Sequence, residues 1–132
     1  KARTQRMIRF FDVIEVLPGL HCNGALTCGE NIADHGGLKV AYQAFRNATS
    51  SRPLADFGGF TPDQRFFISY GQIWANNIRP EALRNQVKTD PHAPARWRVN
   101  GALPQIEAWY KAFGIKKGDK LFVPKNKRVD IW

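Results

Sequence analysis

Helix punctuation constrains this chain more than any other feature. Thr27-Cys28-Gly29-Glu30 and Thr61-Pro62-Asp63-Gln64 both have the Ser/Thr-x-x-Glu/Gln form of a capping box. In that motif the first and fourth side chains satisfy backbone N–H groups that a helix start leaves open. The first box predicts a helix from about Gly29 to about Asn47, with Leu38, Ala41 and Phe45 on one stripe and Val40 and Ala44 beside it. The second has Pro62 at the tolerated first position and Asp63 at the positive helix end. It opens a helix through residues 66–74, a run apolar nearly all round and therefore expected at the centre of the core.

The remaining segments extend this pattern. Met7, Ile8, Phe10 and Phe11 among basic residues predict a short amphipathic helix over 1–12. Residues 13–19 read as extended and stop at Pro18-Gly19, and Asn23-Gly24 marks a tight hairpin or loop within 21–27. Pro80 starts a shorter, more polar helix over 79–89. Pro91 and Pro94 keep the next stretch irregular; then Arg96 and Arg98 alternate with Trp97 and Val99, which predicts a strand. An amphipathic helix over 104–114 ends at Gly114, and 119–124 and 128–132 read as short extended pieces. The expected class is mainly α with short β segments. No repeat or linker splits the chain, so residues 1–132 are expected to form a single domain.

Charge and cysteine content exclude some functions. The net charge is +9, but the cations are scattered, with the densest cluster at 125–128. Without an RNA-binding signature or an aromatic–basic platform, a solvated surface or a face opposite an acidic neighbour is expected rather than nucleic-acid binding. No apolar run is long enough to cross a bilayer. Cys22 and Cys28 are too few for a disulfide framework and lack Cys-x-x-Cys spacing; buried free thiols are expected, with a local disulfide as the alternative. The chain does not begin with Met, so upstream sequence is expected.

Two constellations could carry chemistry. Glu30 and Asp34 stand at i and i+4, on one helix face, where like charges repel by roughly a few tenths of a kcal/mol. Glu30 could serve only as the capping partner of Thr27, and Asp34 could be a solvated residue near the helix start. Gly36 and Gly37 favour another reading, since each costs about 0.5–1 kcal/mol against Ala inside a helix. Glycines there suit a second helix approaching closely, and a carboxylate pair beside such a contact suits a metal site shared between two helices. The second constellation is Asp90-x-His92, stiffened by Pro91 and Pro94 and followed by Arg98. Asp90 is close enough to orient the imidazole, and Arg98 is a fixed cation. Taken alone, a surface histidine beside a helix-ending aspartate explains this stretch equally well.

Together these stretches resemble the neprilysin-like family of zinc metallopeptidases, to which the endothelin-converting enzymes and bacterial endopeptidase O also belong. The matching text is NGALTCGENIADHGGLKVAYQAF (23–45), FTPDQRFFISYGQIW (60–74), RPE (79–81), KTDPHAPARWRVNGAL (88–103) and a terminal IW. The resemblance implies the C-terminal part of a thermolysin-like zinc peptidase catalytic domain acting on peptide substrates. It implies that Glu30 is a zinc ligand and that Asp34 orients a zinc-bound imidazole. His92 would stabilise the oxyanion, Asp90 would hold His92 in its protonated, donating form, and Arg98 would bind a substrate carbonyl. An extracytoplasmic location is favoured over a cytoplasmic one. The ending, without cysteine, looks more like prokaryotic members.

The departures are equally informative. No His-Glu-x-x-His occurs; the histidines are His21, His35 and His92, with no i, i+4 pair. Two zinc ligands and the general base are therefore expected from a missing N-terminal portion of the same enzyme. The chain alone is expected to bind Zn2+ weakly and to hydrolyse nothing. Val129 stands where many animal members carry a cysteine. His21 and Cys28 are expected to be packing variation, and His35, about a hundred degrees around the helix from Asp34, is expected outside the site. The alternative function is a non-catalytic peptide- or protein-interaction module derived from a peptidase. The geometric expectation is that Glu30 and Asp34 project from one helix toward His92 and Arg98.

Overall fold

The structure, a computed structural model, describes residues 1–130. Helix α1 spans Ala2–Asp12 and buries Met7 and Phe11, one turn apart on one face. Strands β1 (Glu15–Leu17) and β2 (Leu20–His21) pair antiparallel. Their turn is Pro18-Gly19, with Gly19 at φ +72°, the left-handed region that favours glycine. The hairpin therefore closes at Pro18-Gly19 and not at Asn23-Gly24.

Asn23 has a different task. It caps helix α2, Gly24–Thr49, and its side-chain oxygen accepts from Leu26 N at 2.9 Å. The helix thus starts at Gly24 rather than Gly29, and Thr27-x-x-Glu30 is not a capping box. The upstream start wins because two acceptors meet the open N–H groups there: Asn23 Oδ1, and Asp12 Oδ1, which accepts from Gly24 N at 2.7 Å. Thr27 lies inside the first turn, where its hydroxyl donates to Asn23 O and accepts from Asn31 Nδ2, each at 2.9 Å. Gly24 is required sterically, because a Cβ there would collide with the Ile8 carbonyl oxygen of α1.

The second capping box forms as expected. Gln64 N donates to Thr61 Oγ1 at 3.2 Å and Thr61 N to Gln64 Oε1 at 3.0 Å, opening α3, Pro62–Ile73. This helix is not buried all round. Phe67 alone is fully covered, Phe66 and Tyr70 pack at the edge of the core, and Ile73 is 72% exposed. Helix α4, Pro80–Thr89, begins at its proline. The predicted strand at 96–99 is instead the short helix α5, Ala95–Asn100. Pro94 supplies the starting carbonyl, accepting from Trp97 N at 2.7 Å and Arg98 N at 3.1 Å. So short a helix shows too little period to be told from strand alternation.

A 3₁₀ turn, Leu103–Gln105, precedes α6, Glu107–Phe113, so the expected 104–114 helix is split near its start. It stops at Gly114, at φ +62°. Residues 119–124 and 128–130 form no strand, and a 3₁₀ turn covers Lys125–Lys127. The expected extended end and the matching IW at 131–132 lie outside the described residues. The class is mainly α with short β segments, as expected. No described helix is long and apolar enough to cross a membrane.

Two apolar clusters flank α2. One joins Leu38 to Phe67, Leu103, Ile106, Trp109 and Tyr110, with Tyr42 stacked on Phe67 at 5.2 Å between ring centroids. The other joins Cys28 to Met7, Phe11, Cys22, Ala93 and Val129. Both cysteines are free and buried, and Val129 fills core volume. Between the clusters α2 leaves a face of small and apolar residues exposed: Leu26, Gly29, Ala33, Gly37, Ala41 and Ala44. Of the two glycines expected at a close approach, Gly36 is buried, whereas a Cβ at Gly37 would meet nothing within 4 Å, so among the described residues nothing packs on Gly37.

Candidate functional site

Three elements bring the expected residues together. Glu30 and Asp34 project from successive turns of α2, Asp90 and His92 sit just after α4, and Arg98 lies on α5. Asp90 Oδ1 accepts from His92 N and faces His92 Nδ1, both at 2.8 Å, closing a tight side-chain turn that fixes the ring. The other ring nitrogen, Nε2, lies 3.1 Å from Glu30 Oε2. Both ring nitrogens therefore face carboxylates. The hydrogen bonds from His92, backbone first, hold the Asp90 carboxyl below its ordinary range. The three side chains are each about two-fifths exposed and reachable from solvent.

Arg98 and Asp34 form the second half. Arg98 Nε donates to Asp34 Oδ2 at 2.7 Å and Nη2 to Oδ1 at 2.6 Å, a bidentate pair with side chains only 15% and 12% exposed. These hydrogen bonds raise the Arg98 pKa further, so the guanidinium stays charged. Asp34 thus directs both oxygens to Arg98. That arrangement relieves the repulsion expected between Glu30 and Asp34, because a fixed cation stands beside them.

Two residues of the site were not singled out from sequence. Trp74, at the C-cap of α3, lies under the guanidinium with Arg98 Cζ 3.9 Å from its ring centroid. Tyr70, one turn earlier, donates its hydroxyl to Arg98 O at 3.0 Å. Burial, then the charge of Asp34, pushes the Tyr70 pKa up to about 12, so it remains a donor. The i, i+4 spacing of these two aromatics in the apolar run 66–74 was the available signal. It was absorbed by the expectation of a core helix.

The other candidates lie elsewhere. His35 is 1% exposed, and burial lowers its pKa; it borders a cavity of about 640 Å³ with Lys39, Gln105 and Asp130 rather than joining the site. His21 is exposed on β2. Burial and then Asp12 push Cys22 up to about 11, and burial raises Cys28, so both are protonated thiols and poor metal ligands. Among the described residues no group of three or more His, Cys, Asp or Glu could hold a metal ion. The partly exposed Glu30 carboxylate is an oxygen donor of a type that zinc accepts.

Comparison with known proteins agrees with this architecture. The model of Peptidase family M13 matches residues 1–129. Endothelin-converting enzyme 1 of Rattus norvegicus is 34% identical over 135 residues, covering 100% of this chain and 17% of that protein. Human neprilysin is 35% identical over 117 residues, covering 86% of this chain and 15% of its own length. The crystal structure of the Mycobacterium tuberculosis zinc metalloprotease Zmp1 in complex with inhibitor superposes with a TM-score of 0.95 at 35% identity, over 99% of this chain and 21% of that one. PepO from Lactobacillus rhamnosis superposes with a TM-score of 0.81 at 34% identity, covering 99% and 19%. The chain spans about a fifth or less of the relatives it matches. With the family model aligned along nearly all of its length, the chain belongs to peptidase family M13.

Proposed function

We propose that this chain is the C-terminal portion of a zinc-dependent endopeptidase that hydrolyses peptide bonds in oligopeptides. The observation that carries the reading is the juxtaposition of Glu30, His92 and Asp90 with the Asp34–Arg98 pair. Residues 60 positions or more apart in sequence are bonded to one another there. A bound zinc would be held by Glu30 together with ligands from the preceding portion, and supplies Lewis acidity and an acidified water.

The chain's own residues have separable tasks. His92 holds a proton at Nε2 and can donate it to a carbonyl oxygen that gains negative charge, the stabilisation an oxyanion needs. Asp90 keeps the ring oriented by accepting from Nδ1. Arg98 carries N–H groups on Nη1 that are not used on Asp34, suited to a substrate backbone carbonyl. Asp34 holds the guanidinium and stands beside Glu30 on α2, where it can also support an incoming imidazole. The exposed small-residue face of α2 suits a helix from the preceding portion.

The test uses the full-length parent protein. Glu30→Ala is expected to lower zinc content at a fixed free-zinc concentration and to abolish peptide cleavage, while Lys39→Ala, outside the site, changes neither. A parent that holds no zinc and cleaves no peptide overturns the reading and leaves a non-catalytic interaction module, whereas normal cleavage with Glu30→Ala overturns the assignment of Glu30 as a zinc ligand. Residues 1–132 alone are expected to show no cleavage and weak zinc binding.

A further inference from the structure

We propose that Tyr70 and Trp74 are positioning residues that together set the orientation of Arg98 toward its ligand. The inference rests on the assignment of Arg98 to substrate binding. It adds that the selective placement of the guanidinium is built from α3, an element that carries none of the residues assigned above.

Helix α5 is only six residues long and its last carbonyls have no partners within the helix. Tyr70 takes one of them, donating to Arg98 O at 3.0 Å, and so ties the main chain at Arg98 to α3. One turn further along the same helix face, the Trp74 ring lies under the guanidinium at 3.9 Å. On its edge the guanidinium meets Asp34 through two parallel bonds. Main chain, planar face and donor edge are therefore each held by a different side chain. An arginine side chain ordinarily has large rotamer freedom, and these three contacts remove it before a ligand arrives.

The arrangement also explains two features of the sequence run 66–74 that a purely structural helix does not require. Tyr70 has a hydroxyl where an apolar ring would pack equally well, and it is spent on Arg98. Trp74 ends α3 with its indole Nε1 buried, near the Tyr70 hydroxyl but without a well-formed hydrogen bond. The same ring lies 3.9 Å from the Arg98 guanidinium carbon, so the N–H left open there accompanies the contact with the cation. Among the described residues no hydrogen bond, ion pair or ring contact joins Tyr70 or Trp74 to Glu30, His92 or Asp90. Loosening Arg98 should therefore weaken substrate binding more than the chemical step.

The test is a pair of thermodynamic cycles in the full-length parent enzyme, with KM and kcat measured on one peptide. Tyr70→Phe is expected to raise KM about fivefold, the factor a lost neutral hydrogen bond carries, with kcat changed less than about twofold. Trp74→Leu is expected to raise KM by about the same factor or more. In an Arg98→Met background both effects are expected to vanish, because there is no guanidinium left to orient. If Tyr70→Phe and Trp74→Leu raise KM as much in the Arg98→Met background as in the enzyme that retains Arg98, the two act on general structure and the inference is overturned. If Arg98→Met leaves KM and kcat unchanged, the substrate-binding assignment itself fails. A Tyr70→Phe protein that does not fold also counts against the inference, since it shows a structural role. The Trp74→Leu cycle then stands as the independent measurement.

Discussion

The substitution Gly24→Ala is expected to detach α1 from α2. The new methyl would overlap the Ile8 carbonyl oxygen and would come within 2.7 Å of Asp12 Oδ1. The first obstacle is backbone, so no rotamer change relieves it. Overpacking of this kind costs about 1–3 kcal/mol. Moving the helices apart also lengthens the 2.7 Å bond from Gly24 N to Asp12 Oδ1, and a bond to a charged acceptor contributes about 1.5–3 kcal/mol. The two losses share one contact and do not simply add, so about 3 kcal/mol is the expected total. Hydrogen exchange read by mass spectrometry on the full-length protein measures this locally. Amides of Ala2–Asp12 should exchange about 10²-fold faster, while those of α6 change little. Asp12→Asn, which keeps an acceptor and removes only the charge, should give an increase of about tenfold or less. Unchanged protection of α1 in Gly24→Ala would refute the steric argument, and equal effects of the two variants would refute its division into overlap and bond.

Other expectations follow from single contacts. Asn23→Ala should destabilise the start of α2 by about 1 kcal/mol, and Glu30→Gln, which leaves that cap intact, should not; local exchange at Leu26 and Thr27 distinguishes them. His35 is neutral in the folded state because burial lowers its pKa below the ordinary 6.5. The unfolded chain therefore binds a proton that the folded chain does not, and stability present above pH 6.5 declines as the pH falls below it. His35→Gln should flatten that limb of an acid-unfolding curve. Asp34→Asn should lower kcat/KM by about tenfold or more, because one amide oxygen cannot replace a bidentate carboxylate at the guanidinium edge.

What could be read in the sequence was the local chemistry with a strong stereochemical signature. Thr61-Pro62-Asp63-Gln64 and Gly114 mark real helix ends because each places a specific donor, acceptor or positive φ at one position. The Thr27 box misled because an equally good start lay upstream and was completed by Asp12, a partner from another helix that local spacing does not reveal. Arg98 was expected on a strand. Four residues cannot separate a two-residue period from a 3.6-residue one, and the decisive partner, Pro94, was read as a breaker rather than a helix start. The neighbourhood of Glu30, Asp34, Asp90, His92 and Arg98 came from motif resemblance. The grip of Tyr70 and Trp74 on Arg98 depends on how α3 crosses α5, which becomes visible only once the helices are packed.

The uncovered strip along α2 has a practical corollary. Leu26, Ala33, Gly37 and Ala44 are exposed in residues 1–132, so a preparation lacking the proposed preceding portion would leave them wetted. Such a preparation should self-associate in a concentration-dependent way. Supplying the preceding polypeptide in trans should disperse those particles, and any recovered hydrolysis should track the fraction dispersed.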